Sequence, residues 1–276
     1  MNDMDRDIGR AAAMIRSHVG DLKPRMAVLL GSGLGAVSAL LEETAAIDYS
    51  DIPGFPHPTI EGHQGVLSIG TVNNVPVYFL KGRVHMYEGE GFDALKVMIR
   101  TLKKREVNTL VITSAVGSLH EDWTPGNLMA ISDHINMMDS HPLIGPNDDE
   151  WGPRFPSQEN AWDRDLRDRL LKAAAGQNVT LHEGIYCGRS GPSFETPAEV
   201  RMLQKIGGDA VGMSAIPENL IARHCGMNCV GIAAIVNRAT GLGAEKPSHE
   251  QTLQGARLCE DNIAKVLSTF ISICSS

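Results

Sequence analysis

The sequence predicts an α/β protein in which one domain holds a mixed central β-sheet flanked by α-helices. Strand-like and helix-like segments alternate through most of the 276 residues, a pattern typical of parallel strands joined by helices. The run GVLSIGTVNNVPVYFLKG breaks this alternation, because two β-rich segments joined by Asn-Asn indicate an antiparallel hairpin. We therefore expect a sheet of mixed direction and a single domain spanning residues 1–276.

The first half of the chain supplies the following elements in order. Val28 to Leu30 read as a strand, and the stretch after Gly33 reads as helical. The hairpin follows, and FDALKVMIRTLKKREV then places apolar residues at helical spacing. NTLVITSAVGS and NLMAISDHINMM are two further strands, the first of them buried.

The second half begins with an irregular segment, residues 141–158, which is rich in Pro, Gly, Asn and Asp. So long a loop in a compact protein is often functional. A polar helix and a strand at GIYCG come next. Thr196, Pro197 and Glu199 then form the start signal of a helix, with a capping box and proline at the first helical position.

Two strands, DAVGM and NCVGIAAIVN, flank the helix IPENLIARHCG. A second capping box, Ser248 to Gln251, begins a long C-terminal helix with one apolar side.

Composition excludes several classes of partner. The formal net charge is −8 and no basic cluster extends beyond Lys103 to Arg105, whereas a nucleic-acid-binding protein needs a basic patch. The first residues are acidic where an export signal would be basic, and no apolar run is long enough to span a bilayer. We expect neither nucleic acid nor membrane as a partner.

Five scattered cysteines, an odd number, favour a reducing cytoplasm over a disulfide framework. Cys225 and Cys229 lie near His224, but no second pair stands at the spacing of zinc ligands. We therefore predict a cytoplasmic protein with no metal site.

The turn after the first strand is rich in glycine, a feature of turns that bind either a dinucleotide or a single phosphate. Gly31, Gly33 and Ala36 match the G-x-G-x-x-A fingerprint of dinucleotide-binding folds, which would make the protein an NAD-dependent dehydrogenase. That fold needs a parallel second strand ending in an acidic residue; Asp48 has a tolerable position, but a proline-rich loop and a hairpin follow it. The backbone N–H groups of the turn, together with the hydroxyl of Ser32, are better suited to a single phosphate.

Other candidate phosphate ligands follow along the chain. Alternation places Arg83 and His85 on one side of the extended stretch KGRVHMYEG, and arginine offers a fork of donors to phosphate oxygens. His63 lies in a Gly/Pro-rich loop of the kind that often contacts ligands. Small residues around Ala115 let a ligand approach its backbone N–H.

Aromatic and polar residues further on are suited to a purine. Phe194 offers a ring on which a base can stack, and Glu195 offers a carboxylate that accepts from a ring N–H. Asn237 ends a strand of otherwise apolar residues, so its amide lies either at a sheet-edge site or in a structural hydrogen bond. GMSAIPE resembles a nucleophile elbow, but Ile216 replaces the required glycine, and we do not expect Ser214 to be a nucleophile.

Taken together, these motifs resemble the trimeric, low-molecular-mass purine nucleoside phosphorylases. The resemblance is carried in order by the glycine turn with Ser32, by GFPHPTIEGH, GRVHMYEG, GPSFETPAE and VGMSAIPE, and by Asn237 and His249 after them. It extends from about Val28 to the C-terminal helix. It implies phosphate-dependent cleavage of the N-glycosidic bond of purine (deoxy)nucleosides, giving free purine and pentose 1-phosphate. Inorganic phosphate is then a co-substrate, no metal or organic cofactor is required, and the protein is a homotrimer.

The resemblance also implies roles for individual residues. Phosphate would be bound by Ser32, His63, Arg83, His85, Ala115 and Ser214, with the loop of His63 closing over it. The sugar would be held by Tyr87, Met213 and His249, and the purine by Phe194, Glu195 and Asn237. Of these, the catalytic residues would be Asn237, Glu195, His85 and His249. A phenylalanine of the neighbouring subunit closes the sugar site in this family, and Phe155 is the candidate here.

Base preference is expected to follow from Glu195 and Asn237, which together predict 6-oxopurine nucleosides such as inosine and guanosine. The chain departs from the family pattern at Val236, Ser114, Val116 and Arg189. An inward-turned Arg189 would favour purines with a 2-oxo group, such as xanthosine, whereas a solvent-facing side chain would not.

The sequence leaves two further functions open. Methylthioadenosine phosphorylase shares the phosphate motifs, although Asn237 and the polar His249 argue against it. A nucleoside-binding module without turnover is the possibility outside the enzymes.

Overall fold

The computed structural model describes residues 3–60, 63–243 and 246–275. The helices in these ranges are α1 (Asp3–Val19), α2 (Asp93–Lys104), α3 (Arg164–Gly176), α4 (Pro197–Lys205), α5 (Ile216–His224) and α6 (His249–Ser275). The strands are β1 (Met26–Leu29), β2 (Glu42–Asp48), β3 (Val66–Val72), β4 (Val75–Lys81), β5 (Thr109–Ser118), β6 (Leu128–Met137), β7 (Leu181–Arg189), β8 (Ala210–Gly212) and β9 (Asn228–Arg238).

All nine strands belong to one sheet, in the order β2-β3-β4-β1-β5-β8-β7-β6-β9. Strand β5 also pairs in parallel with β9, so that β5, β8, β7, β6 and β9 close into a ring. Strand β1 runs parallel to both β4 and β5, whereas β2, β3 and β4 are antiparallel to one another in turn. The predicted α/β class with a mixed central sheet is confirmed.

Helices cover both faces of the sheet because successive strand residues point to opposite sides. On β1, Ala27 and Leu29 pack in the buried cluster that also contains residues of α1, α2 and α5. Val28 points the other way, into the cluster that contains residues of α3 and α6. The buried, almost entirely apolar central strands of the sequence follow from this two-sided cover.

The predicted hairpin is present. Strands β3 and β4 pair in antiparallel register, with Val72 opposite Val75. Asn73 and Asn74 between them both have positive φ, at 51° and 64°, the conformation that a two-residue type I′ turn requires and that asparagine tolerates.

Three elements of the first 50 residues differ from the sequence expectation. The stretch after Gly33 forms a short 3-10 helix, Gly35–Leu40, in place of an α-helix. Strand β2 pairs with β3 at the edge of the sheet, and its mostly exposed residues lack the apolar alternation that would have revealed it. Helix α1 was not predicted from the sequence; it packs against α2, and its Ile8 and Ile15 belong to the buried cluster that also contains residues of α2.

The helix start signals are confirmed. The Thr196 hydroxyl accepts from Glu199 N at 3.2 Å, and the Glu199 carboxylate accepts from Thr196 N at 2.8 Å. Ser248 Oγ accepts from Gln251 N at 3.2 Å, which caps the start of α6.

Helix α6 packs closely against β9. A Cβ added to Gly255 would lie only 2.1 Å from the Val236 carbonyl oxygen, so only glycine fits at this crossing. The contact brings the first residue of α6, His249, to the end of β9.

All five cysteines are free thiols. In the described ranges no three His, Cys, Asp or Glu side chains are grouped so as to hold a metal ion. Among the same residues no helix is both long and apolar enough to cross a membrane.

Candidate active site

A cavity of about 420 Å³ opens where several strands end. Ser32 comes after β1, and His85 comes after β4. Ala115 lies in the last part of β5, Ser214 follows β8, and Asn237 is near the end of β9. Since β1, β4, β5 and β9 are parallel, their carboxyl ends meet at one edge, which is where open α/β sheets bind ligands.

The cavity brings together almost all residues that the sequence analysis singled out. They are Ser32, His85, Tyr87, Ala115, Phe194, Glu195, Met213, Ser214, Asn237 and His249. His63 and Arg83 are not among the residues that line it. We call the predicted phosphate ligands in this lining, Ser32, His85, Ala115 and Ser214, the phosphate set, and the predicted purine contacts, Phe194, Glu195 and Asn237, the purine set.

The glycines of the turn after β1 serve the packing of the chain. The N–H of Gly31 donates to the Thr113 hydroxyl at 2.9 Å, and a Cβ on Gly31 would lie 2.9 Å from the Thr113 carbonyl oxygen. Gly33 has φ of +73°, and its Cβ would lie 2.8 Å from Cβ of Ala256. The expectation that the backbone of this turn is free for phosphate is therefore wrong for Gly31, because Thr113 already accepts its N–H.

His63 joins Ser32 to the segment after β4. Its Nδ1 accepts from the backbone N–H of Arg83 at 3.2 Å, so the ring hydrogen is on Nε2, which lies 2.9 Å from Ser32 Oγ. Burial, followed by the electrostatic influence of His85 and Arg83, lowers the pKa of His63 to about 3. The ring is thus a neutral donor to Ser32. Glu61 and Gly62, next to it in the predicted closing loop, lie outside the described residues.

Arg83 is fully buried and forms an ion pair with Glu218, which is also buried, at 3.3 Å between Nη1 and Oε1. Its Nη2 donates to the Thr113 carbonyl oxygen. Its Nε has no acceptor among the described residues. A buried charge pair carries a large desolvation penalty, and here the pair and the Thr113 carbonyl oxygen fix the position of the guanidinium.

His85 is held by a carboxylate that the sequence analysis missed. Glu88 Oε1 accepts from His85 N at 2.7 Å and lies 3.2 Å from His85 Nδ1, and Oε2 accepts from Thr59 N and Oγ1 at 2.8 and 2.6 Å. Burial opposes the ionised form, but these hydrogen bonds prevail and hold the pKa of Glu88 at about 2. The His85 ring also stacks on Tyr87, with centroids 4.8 Å apart. In the sequence, only the spacing of three residues between His85 and Glu88 could have indicated this contact.

Ser214 sits in a strained turn. Its carbonyl oxygen accepts from Ile216 N at 2.8 Å, and Ala215 between them has φ of +68° and ψ of −42°. This is a γ-turn of the rare, strained kind. It reverses the chain between β8 and α5 and turns Ser214 into the cavity.

The purine set combines a buried acid, an amide and a ring. Glu195 is only 7% exposed, and burial raises the pKa of its carboxyl group although Arg189 opposes the shift. The Asn237 amide makes no hydrogen bond to another described residue. A Cβ on Gly117 would lie 2.9 Å from Asn237 Oδ1, so this glycine leaves the room that the amide occupies. Val236 beside it offers no hydroxyl.

Arg189 does not line the cavity. Its Nη2 donates to Glu199 Oε1 at 2.7 Å, and Glu199 also completes the capping box of α4 with Thr196. The side chain is therefore fixed at the start of that helix.

Phe155, the candidate for a residue that reaches a neighbouring subunit, is 88% exposed and lies outside the cavity of its own chain. Ile144, in the same irregular segment, is 70% exposed. The segment contains neither helix nor strand over residues 141–158, as expected.

Comparison with known proteins gives a consistent result. Residues 25–272 match the sequence family described as the phosphorylase superfamily. Purine nucleoside phosphorylase 1 of Bacillus subtilis is 39% identical over 265 residues, covering 96% of this chain and 97% of its own length. Purine nucleoside phosphorylase of Rattus norvegicus is 40% identical over 274 residues, covering 97% and 93%.

A crystal structure of isoform 2 of purine nucleoside phosphorylase from Schistosoma mansoni, in complex with cytosine and ribose-1-phosphate, superposes with a TM-score of 0.89. It is 36% identical and covers 97% of this chain and 96% of its own.

Proposed function

Because this chain belongs to the phosphorylase superfamily and is a purine nucleoside phosphorylase, we propose that it acts on 6-oxopurine (deoxy)ribonucleosides, inosine and guanosine. The products are free purine and (deoxy)ribose 1-phosphate. The observation that carries the proposal is that the purine set, with Glu195 and Asn237, shares one cavity with the phosphate set.

Phosphate serves as the nucleophile. As the glycosidic bond lengthens, positive charge grows on the sugar, and a phosphate dianion fixed beside it stabilises that charge and attacks. Ser32, Ser214, His85 and the N–H of Ala115 supply hydrogen bonds to it. Arg83, although paired with Glu218, is the cation proposed for this site, and its Nε–H, which has no acceptor among the described residues, supports that role. When phosphate binds, the Ser32 hydroxyl leaves its contact with His63 and donates to a phosphate oxygen.

The purine leaves with negative charge. Asn237 donates to N7 and interacts with O6 as that charge develops, and its lack of a partner among the described residues leaves the amide available for this. Glu195 accepts from N1–H, which requires its carboxylate form. Phe194 stacks on the base.

Tyr87, Met213 and His249 hold the sugar, with His249 orienting the 5′-hydroxyl. All three line the cavity. The reaction so assembled uses only side chains and phosphate, so we propose no metal or organic cofactor.

The arrangement favours inosine and guanosine over xanthosine and methylthioadenosine. A preference for xanthosine needs Arg189 at the base, and its ion pair with Glu199 at 2.7 Å, outside the cavity lining, supports the other preference. Methylthioadenosine carries a 6-amino group, which matches the donor of Asn237 less well than a 6-oxo group does.

We also propose a homotrimer in the cytoplasm. The exposed Phe155, which finds no contact in the cavity of its own chain, supports a role in closing the sugar site of a neighbour. The five free thiols support a reducing compartment.

The test is release of free base from inosine, guanosine, xanthosine and adenosine, each with and without phosphate. We expect phosphate-dependent cleavage of inosine and guanosine, with adenosine inert and xanthosine poor. Uptake of inosine without cleavage would indicate a binding module, and efficient cleavage of xanthosine or adenosine would overturn the assignment of the purine set.

A further inference from the structure

Three hydroxyl groups meet at the inner side of the cavity. Ser214 Oγ lies 3.0 Å from Ser114 Oγ, and Ser214 N donates to Tyr186 Oη at 3.1 Å. Ser214 lines the cavity, whereas Ser114 and Tyr186 do not, and both are buried. The cluster joins three strands, since Ser114 lies in β5, Tyr186 in β7 and Ser214 just after β8.

The fold leaves space for this cluster at one position. A Cβ on Gly212 would lie 2.4 Å from Tyr186 Oη, so the phenol occupies the place where any other residue of β8 would put its side chain. Gly212 pairs with Gly188 of β7 in the parallel register. The tyrosine hydroxyl therefore reaches the backbone N–H of Ser214.

The direction of the hydrogen bonds follows from counting hydrogens. Each hydroxyl has one hydrogen to donate and can accept others. Tyr186 Oη accepts from Ser214 N, so its own hydrogen needs a buried acceptor, and the serine hydroxyls are its polar neighbours. A phosphate dianion offers only acceptors, so Ser214 must donate to it. The hydrogen between the two serines then belongs to Ser114.

With Ser214 donating to phosphate, Ser114 donates to Ser214, and the Tyr186 hydrogen goes to one of the two serine oxygens. In a buried chain of this kind each hydrogen bond polarises the next. The backbone of Ser214 is fixed as well, by its N–H on Tyr186 and by the γ-turn at Ala215.

We propose that Ser114 and Tyr186 are positioning residues, which hold Ser214 Oγ with its hydrogen directed at the phosphate. The proposal rests on the proposed function, since it takes Ser214 to be a phosphate ligand. We call the hydroxyl groups of Tyr186, Ser114 and Ser214 the relay. We expect it to strengthen phosphate binding and to leave the nucleoside contacts unchanged.

The test compares Ser114→Ala, Tyr186→Phe, the double variant and Ser214→Ala in steady-state kinetics with inosine and phosphate. For each single relay variant we expect KM for phosphate to rise roughly 3- to 10-fold, with KM for inosine unchanged. Since one broken link disables the relay, the double variant should be no worse than the poorer single variant. Tyr78→Phe is the matched control, because Tyr78 of β4 is equally buried and does not line the cavity; its KM for phosphate should match the wild type.

The outcomes separate this proposal from the function on which it rests. If Ser214→Ala raises KM for phosphate while Ser114→Ala and Tyr186→Phe do not, the relay is wrong and the phosphate site stands. If Ser214→Ala is itself without effect, or if the wild type cleaves inosine without phosphate, the proposed phosphate site and the relay fall together. Additive effects in the double variant, or equal increases of both KM values, would show general damage and overturn the relay. If Tyr186→Phe does not fold, Ser114→Ala alone tests the relay. A raised KM for phosphate with an unchanged KM for inosine supports it, and any other result overturns it.

Discussion

Among the individual residues of the site, Glu195 is the one whose proposed role depends most directly on its protonation state. Its environment raises the pKa of the acid, and its proposed role as acceptor of the purine N1–H requires the ionised form. The protonated acid can no longer accept that hydrogen bond in the same way.

We predict an acid limb in the pH profile of kcat/KM for inosine, measured with the phosphate dianion kept at a saturating concentration at every pH. The value should fall as pH decreases through the raised pKa of Glu195, so the limb lies above the ordinary glutamate range near 4.5. Glu195→Gln should remove the limb and lower kcat/KM roughly 10- to 100-fold, the effect of losing a hydrogen bond to a charged group.

Two other groups of the site cannot produce that limb. His63, with a pKa of about 3, stays neutral and Glu88, with a pKa of about 2, stays ionised above pH 5. An acid limb that persists unchanged in Glu195→Gln would contradict the role given to this residue.

The residues of the site were predictable from sequence where a local motif carried them. Ser32, His85, Phe194, Glu195 and Ser214 each lie in a short run with its own chemistry, and all of them line the cavity.

Their supporting partners were not predictable. Ser114 meets Ser214 across 100 positions of the chain, and Thr59 meets Glu88 across 29. Such pairs depend on the topology of the sheet, which no local pattern specifies. For the same reason the sequence did not show that Arg83 and His63 are absent from the cavity lining.

At the scale of elements, the central strands and capped helices were predictable because their periodicity and start signals are local. Strand β2 and the 3-10 helix before it were not. One is an exposed edge strand without alternation, and the other is a six-residue element in a glycine-rich turn. Both lie where tertiary contacts, more than local preference, decide the backbone.

The contact between α6 and β9 gives a prediction at this scale. Gly255→Ala places a methyl group against the Val236 carbonyl oxygen, so the helix must move away from the strand that carries Asn237. We expect the free energy of unfolding to fall by about 1–3 kcal/mol and kcat/KM for inosine to fall with it, as measured by denaturant titration and steady-state kinetics.

Gly9→Ala in α1 is the matched control. A Cβ there meets nothing within 4 Å, so alanine should stabilise the helix by about 0.5–1 kcal/mol and leave activity unchanged. Equal stability of the Gly255→Ala variant and the wild type would show that the crossing tolerates a side chain.

At the scale of the whole molecule, the irregular segment 141–158 belongs to the proposed assembly. Phe155→Ala should lower kcat/KM for inosine roughly 10-fold or more, because a buried aromatic side chain at an interface contributes about 2 kcal/mol or more. Leu258→Ala is the control, since Leu258 is another exposed apolar residue, at 62%, on α6. Light scattering measures the mass of both variants.

Assemblies that contain both Phe155→Ala and Glu195→Gln subunits test whether Phe155 acts in the site of a neighbouring subunit. Subunits with Phe155→Ala retain their own purine set, and subunits with Glu195→Gln retain Phe155, so co-expression of the two should restore activity above either variant alone. A monomeric wild type, or no gain on mixing, would contradict the shared site.

The central claim is that phosphate itself attacks the sugar in this cavity, and ³¹P NMR of a reaction with inosine tests it most directly. We predict one pentose 1-phosphate for each hypoxanthine released, and no release when phosphate is omitted. Hypoxanthine accompanied by free ribose, or formed without phosphate, would identify water as the nucleophile and contradict the account.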